Sequence, residues 1–123
     1  MDKRIACDVK GTLEGPKKKQ VIKILDLFSK AGYAVTVWSN LYSYAVDAVK
    51  DNNLKAEAMS KRMKMDLGYD ETQYFDFAIE DDSRQEYLAA KKFIWVHDIP
   101  DDMEQIEGFV KGLLSETKEK SEI

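Results

Sequence analysis

Short apolar segments alternate along this chain with longer segments of helical spacing, and this alternation constrains the fold more than any other feature. Five segments have strand character: Arg4 to Val9, Tyr33 to Trp38, Ala56 to Met59, Tyr74 to Ile79 and Phe93 to Val96. The spacing of apolar residues predicts helices over Lys17 to Lys30, Leu41 to Lys50, Ser83 to Lys91 and Asp101 to Leu114, and a helical turn over Lys61 to Leu67. Strands that alternate with helices predict a parallel sheet covered on both faces.

The length of 123 residues accommodates one domain. We assign this domain to residues 1–114 and expect the polar residues 115–123 to form a disordered tail. The stretches from Asp8 to Ser39 and from Ser39 to Asp81 are filled by predicted elements, so neither leaves room for a large cap domain. The expected fold is therefore α/β, a Rossmann-like three-layer αβα sandwich around a mainly parallel five-stranded sheet.

Charge and composition exclude several classes of function. The net charge of −4 gives no general electrostatic reason to bind nucleic acid or an anionic membrane. A single cysteine excludes an intramolecular disulfide and the multi-cysteine zinc sites. The chain has neither the apolar region of a signal peptide nor a run of ~20 apolar residues that would span a bilayer. A cytoplasmic protein without membrane contact is the expectation.

Polar residues follow the predicted strands at their carboxyl ends, where ligands bind in parallel sheets. Asp8 ends the first strand and is followed by Gly11 and Thr12, an arrangement typical of a nucleophile presented to a phosphate that backbone amides cradle. Asp81 and Asp82 follow the fourth strand and offer the hard oxygen ligands that Mg²⁺ prefers. The structural alternatives are a turn-capping carboxylate at Asp8 and an acidic pair that favours the dipole of the next helix.

The segment Asp8-Val9-Lys10-Gly11-Thr12-Leu13 resembles the first motif of the haloacid dehalogenase (HAD)-like superfamily, Asp-x-Asp-Gly-Thr-Leu. The resemblance implies a phosphohydrolase in which Asp8 forms an aspartyl-phosphate with the help of Mg²⁺. Lys10 replaces the aspartate that serves as general acid/base in the family's phosphatases, while its backbone carbonyl remains available as a metal ligand. The resemblance is to a minimal member without a cap.

The other family motifs imply further roles. Ser39, after the second strand, would donate its hydroxyl to the phosphoryl group, and Asn40 beside it would contact the substrate. The lysine that neutralises phosphate and nucleophile is assigned to Lys61, with Lys64 and Lys55 as alternatives. Among the metal ligands implied, Asp8, the Lys10 carbonyl and Asp81 would bind directly, and Asp82 directly or through water.

The substitution at Lys10 leaves three hypotheses open. Lys10 has a lowered pKa and donates the proton, or the enzyme uses good leaving groups such as acyl phosphates, or the protein is a catalytically degenerate binding module. A receiver-like signalling domain is ranked lower, because its acidic pair would follow the first strand. Strand order 5-4-1-2-3 would favour the HAD-like hypothesis, and 2-1-3-4-5 the receiver. The expected partner is a phosphorylated small molecule or macromolecule end, and a homo-oligomer would close the open site.

Overall fold

A sheet of five parallel strands organises the chain in the order β3-β2-β1-β4-β5. The computed structural model describes residues 3–121, with side chains described through residue 116. The strands are β1 Arg4–Asp8, β2 Ala34–Ser39, β3 Glu57–Ser60, β4 Phe75–Glu80 and β5 Ala90–Trp95. The predicted α/β, Rossmann-like class without a large cap is confirmed, and every strand pair is parallel. Viewed from the opposite edge, the order is 5-4-1-2-3, and not 2-1-3-4-5.

Three α-helices pack on one face of this sheet: α1 Lys18–Lys30, α2 Tyr42–Asp51 and α3 Ile106–Ser121. Alternate strand residues such as Ile5 and Cys7 point to this face and form one fully buried cluster with apolar residues of all three helices. The helical spacing of Val21, Ile24 and Phe28 places them on the same side of α1, where they complete the cluster. This core packs against β1 and β4, the strands whose carboxyl ends border the candidate site.

The opposite face carries a smaller apolar cluster that contains no described residue of α1, α2 or α3, whereas the expected three-layer sandwich has helices on both faces. Short 3₁₀ segments lie in the connections on either side of β4: Lys64–Leu67, Glu71–Gln73 and Ser83–Gln85. The first confirms the helical turn predicted over Lys61 to Leu67. The cluster itself contains Ala6, Trp38, Phe75, Ala78, Leu88 and Ala90. The carboxylates of the candidate site lie on this face.

The helix predicted over Ser83 to Lys91 is wrong. Only Ser83–Gln85 is helical, as one 3₁₀ turn, and β5 begins at Ala90. The chain between them runs beside the β3–β4 connection: the Lys64 amide donates to the Tyr87 carbonyl at 2.9 Å and the Ala89 amide to Arg62 at 2.8 Å. These backbone bonds and the burial of Leu88 stabilise an extended path at the expense of a helix.

The last helix begins later and extends further than expected. A 3₁₀ turn over Met103–Gln105, capped by Asp102, precedes α3, which continues through Ser121. Helix was predicted to end at Leu114, and of the expected tail, residues 122 and 123 lie outside the described residues. Across residues 3–121, none of the helices has the length and apolar character needed to cross a bilayer.

Candidate functional site

A cavity of about 290 Å³ opens at the carboxyl edge of the sheet. It lies where β1, β2 and β4 end, as expected for a parallel sheet. The sequence-predicted residues that line it are Asp8, Lys10, Ser39, Asn40, Lys61, Asp81 and Asp82. Gly11 and Thr12 belong to the turn beneath it. The structure therefore gathers residues that are far apart in the chain at one place.

Lys61 is the electrostatic centre of the site. Its ammonium lies 2.9 Å from Asp8 Oδ1 and 2.8 Å from Glu80 Oε1, and it donates to Gln85 Oε1 at 3.1 Å. All three ionic side chains are almost fully buried. The second Glu80 oxygen accepts a hydrogen bond of 2.6 Å from the Trp38 indole. Two buried carboxylates thus share one buried cation, and the cluster carries a net negative charge when both are ionised.

The turn after β1 positions Asp8 through local bonds. The Thr12 hydroxyl donates to Asp8 Oδ2 at 3.3 Å, and the Leu13 amide donates to the Asp8 carbonyl at the same distance. Gly11 has a positive φ of 76°, which glycine adopts without strain. A Cβ at Gly11 would lie 2.1 Å from Asp81 Oδ2. Glycine is therefore required both for the turn and for the close approach of Asp81.

Burial and mutual repulsion shift the pKa values of this cluster. Burial raises the pKa of Glu80 to about 7, and the nearby Asp8 charge acts in the same direction, against Lys61 and Trp38. Burial also raises the pKa of Asp8, opposed by Lys61. Burial lowers the pKa of Lys61, but the Glu80 and Asp8 charges outweigh it, so that its pKa lies above the ordinary value. A further cation in the cluster would relieve this repulsion.

Asp8, Glu80 and Asp81 form a three-acid group whose geometry is compatible with a metal ion. One carboxylate oxygen from each lies within 4.8 Å of the other two. Oxygen-only donors of this kind suit Mg²⁺, which retains several waters and binds one or two carboxylates together with phosphate. Asp8 and Glu80 are buried and Asp81 is exposed, so the group is open on the side of the cavity.

Asp82 lies at the border of the cavity, and its predicted metal-ligand role, direct or through water, stays a prediction. It is not part of the three-acid group found among the described residues. Its carboxylate pairs with Arg84 at 2.6 Å and accepts the Arg84 amide at 2.9 Å, capping the 3₁₀ turn. The side-chain bond from Arg84 lowers the pKa of Asp82 to about 2. Asp82 therefore acts as a turn cap, and Glu80 is the residue that joins Asp8 and Asp81 in the three-acid group.

Lys10 is exposed and its ammonium lies 5.2 Å from the centre of the Tyr44 ring. Asp8 pairs with Lys61 instead. Lys10 therefore borders the cavity as a rim cation, and the predicted metal-ligand role of its carbonyl stays a prediction.

The remaining predicted residues flank this centre. Ser39 is buried at the end of β2, and its hydroxyl accepts the Leu41 amide at 3.3 Å, while Asn40 is exposed. Among the three candidate lysines, Lys61 is the one in contact with Asp8. Lys64 lies over the Phe93 ring, and Lys55 lines grooves away from this cavity.

Sequence reasoning missed Glu80, Trp38 and Gln85 as parts of the site. The fourth strand was predicted to end at Ile79, which put Glu80 into the loop. In the structure β4 extends to Glu80, and strand alternation then points it to the same face as Ala78. The alternation that places Glu80 on the same face as Ala78 was readable in the sequence. The contacts of Trp38 and Gln85, in contrast, depend on strand order and on the β4–β5 loop.

Comparisons of this chain with protein-family models, with curated proteins and with solved structures each found no match.

Proposed function

We propose that this chain is a HAD-like phosphohydrolase that forms an aspartyl-phosphate on Asp8 in the presence of Mg²⁺. The observation that carries the proposal is the contact between Asp8 and Lys61 inside a three-acid group, at the carboxyl edge of a parallel sheet. A nucleophilic carboxylate, a buried cation and oxygen ligands for a divalent metal are the parts that phosphoryl transfer requires.

Each side chain has a distinct part in this reaction. An Asp8 carboxylate oxygen attacks phosphorus and the ester oxygen leaves with its bonding electrons; water then cleaves the acyl phosphate and restores Asp8. Lys61 neutralises Asp8 before the attack and the phosphoryl oxygens after it. Asp8, Glu80 and Asp81 would hold Mg²⁺, which supplies charge neutralisation for the transferring group when bound. Ser39 and the backbone amides after Asp8 would orient the remaining phosphoryl oxygens.

Two observations support the HAD-like relationship. The Asp-x-x-Gly-Thr-Leu segment ends the central strand and forms the turn after it, where Lys61, Glu80 at the end of β4 and Asp81 just beyond it meet Asp8. The strand order β3-β2-β1-β4-β5 also agrees with the expectation for that fold rather than for a receiver. We propose a cytoplasmic location and a phosphorylated small molecule or macromolecule end as partner, with a homo-oligomer as the way to cover the open cavity.

Lys10 determines which phosphates this site would hydrolyse. With its ammonium over Tyr44, no carboxylic acid occupies the position from which family phosphatases protonate the leaving group. Loss of such a group costs ~10²–10⁴-fold in rate. Acyl phosphates and aryl phosphates, whose leaving groups need little protonation, are therefore the expected substrates. The same observation favours a second candidate, a non-catalytic module that binds phosphate at this site.

Hydrolysis of acetyl phosphate and of an activated aryl phosphate tests the proposal, with Mg²⁺ and with EDTA. We expect turnover that requires Mg²⁺ and is abolished in Asp8→Asn. Asp26→Asn, which removes an exposed carboxylate on α1, is the matched control and should retain full activity. Folded protein without turnover on either substrate would leave the binding module as the better interpretation.

A further inference from the structure

We propose that the phosphate bound at this site belongs to a nucleotide, whose base stacks on Tyr44. This inference deepens the proposed function, on which it rests, by naming the class of substrate. It is carried by the part of the cavity wall that has no carboxylates. This part consists of the Tyr44 ring, Leu41 and the Lys10 ammonium, none of which takes part in the proposed phosphoryl transfer.

The aromatic ring is accessible from the cavity. Tyr44 is 40 % exposed and Leu41 is 55 % exposed, and both border the cavity. A bare phosphate would make no favourable contact with this apolar surface. Leu41 is the N-cap of α2 and Tyr44 lies in its first turn, close in the chain to Ser39 and Asn40. The wall therefore stands within one helical turn of residues proposed to hold the phosphoryl group.

Lys10 adds a positive charge over a face of the ring. Its ammonium is 5.2 Å from the ring centre, and it too borders the cavity. A nucleotide combines a flat aromatic group with one or more phosphates, separated by a sugar, and so presents a partner for both the ring and the cation. Aromatic rings interleaved with cations are the usual surface for nucleotides of single strands, and stacking tolerates any base.

A phosphopeptide fits the wall less well. Peptide recognition uses a free strand edge or pockets for successive side chains. Apart from the carboxylates and the polar residues Ser39, Asn40, Lys61 and Gln85, the described lining of the cavity consists of one ring, one leucine and one lysine. A single planar group next to a phosphate is what this wall accommodates.

Equilibrium binding of AMP and of ribose 5-phosphate, which differ only by the base, tests the inference. Titrations with Mg²⁺ would use the native chain and Asp8→Asn, so that the result does not depend on turnover. We expect AMP to bind at least 10-fold more tightly than ribose 5-phosphate, within the range of one stacked base. Tyr44→Ala should bring this ratio close to one and Tyr44→Phe should keep it. The control Tyr69→Ala, which removes a 71 % exposed tyrosine outside the cavity, should leave the ratio unchanged.

The possible outcomes separate this inference from the proposed function. Equal binding of both compounds, dependent on Mg²⁺, would overturn the nucleotide assignment and leave the phosphate site intact. Tighter binding of phosphotyrosine than of AMP would overturn it in favour of an aryl phosphate on a protein. Absence of binding by every compound at millimolar concentration would contradict both the inference and the phosphate site.

Discussion

At the scale of single residues, one lysine compensates two buried carboxylates. Asp8 and Glu80 approach the same Lys61 ammonium within 3 Å, and the side chain of Glu80 is completely buried. Buried charges of one sign are tolerated only when paired and hydrogen-bonded. Glu80 meets this condition through Lys61 and Trp38, so the stability of the whole edge depends on Lys61.

Replacing Lys61 by methionine should therefore destabilise the metal-free protein strongly. Removing one partner of a buried ion pair costs ~3–5 kcal/mol, since the remaining charges lose their compensation. Urea unfolding in EDTA at pH 7 measures this free energy. Lys55→Met, at an exposed lysine away from this cavity, should change it by less than ~0.5 kcal/mol. A similarly small cost for Lys61→Met would show that Asp8 and Glu80 are not held as buried anions.

Lys10→Asp should enable the site to hydrolyse phosphates that have poor leaving groups. A carboxylic acid at this position restores a proton donor next to Asp8, whereas Lys10 lies over Tyr44. We expect hydrolysis of an alkyl phosphate to increase ~10²–10⁴-fold. Acetyl phosphate, which needs no acid, should gain much less, so the ratio of the two rates is the informative measurement. Equal gains on both substrates would indicate an electrostatic effect and not acid catalysis.

At the scale of elements, the turn between β1 and α1 couples backbone conformation to metal binding. Gly11→Ala would force a left-handed φ on alanine and push Asp81 from its position, because its Oδ2 atom would lie 2.1 Å from the new Cβ. We expect Mg²⁺ affinity to fall at least ~10-fold and stability to decrease by about 1 kcal/mol or more. Calorimetric Mg²⁺ titration and thermal unfolding measure the two effects.

Gly108→Ala provides the matched control for this turn. Gly108 lies in α3, and a Cβ there would meet no atom within 4 Å. Alanine should stabilise that helix by about 0.5–1 kcal/mol without changing Mg²⁺ affinity. Unchanged Mg²⁺ affinity in Gly11→Ala would exclude Asp81 from the metal group.

The elements that the sequence predicts correctly are those in which the spacing of apolar residues by itself defines one buried face. The α1 spacing of Val21, Ile24 and Phe28 determines its buried side without reference to any neighbour. The segment after Ser83 differs, because its extended path depends on backbone bonds to residues 62–64, a partner that only strand order creates. Glu80 was hidden for a related reason: an acid is not expected inside a core unless its partners, here Lys61 and Trp38, are known.

At the scale of the whole molecule, the buried carboxylates of the site make the metal-free protein less stable as the pH rises. A bound metal ion would reverse this trend. Most carboxylates in proteins have lowered pKa values in the folded state and stabilise it as pH rises. Burial raises the pKa of Glu80 to about 7, from an ordinary value near 4.5, and raises that of Asp8 as well. The folded state therefore binds protons at Glu80 and Asp8 more tightly than the unfolded chain does. The stabilisation that comes from this difference is fully present below pH 4.5 and is lost as the pH rises through 7.

In EDTA, the free energy of unfolding should therefore decrease between pH 4.5 and 7, by about 3 kcal/mol at most for a group shifted as far as Glu80. Glu80→Gln should flatten this decrease. Mg²⁺ binds the deprotonated carboxylates, so its stabilising effect should grow over the same interval and reach ~2.7 kcal/mol at a hundredfold excess over its Kd. Urea unfolding at several pH values, with Mg²⁺ and with EDTA, measures both trends. Metal-free stability that rises from pH 4.5 to 7 would contradict the raised pKa values, and Mg²⁺ without effect at pH 7 would exclude the three-acid group as a magnesium site.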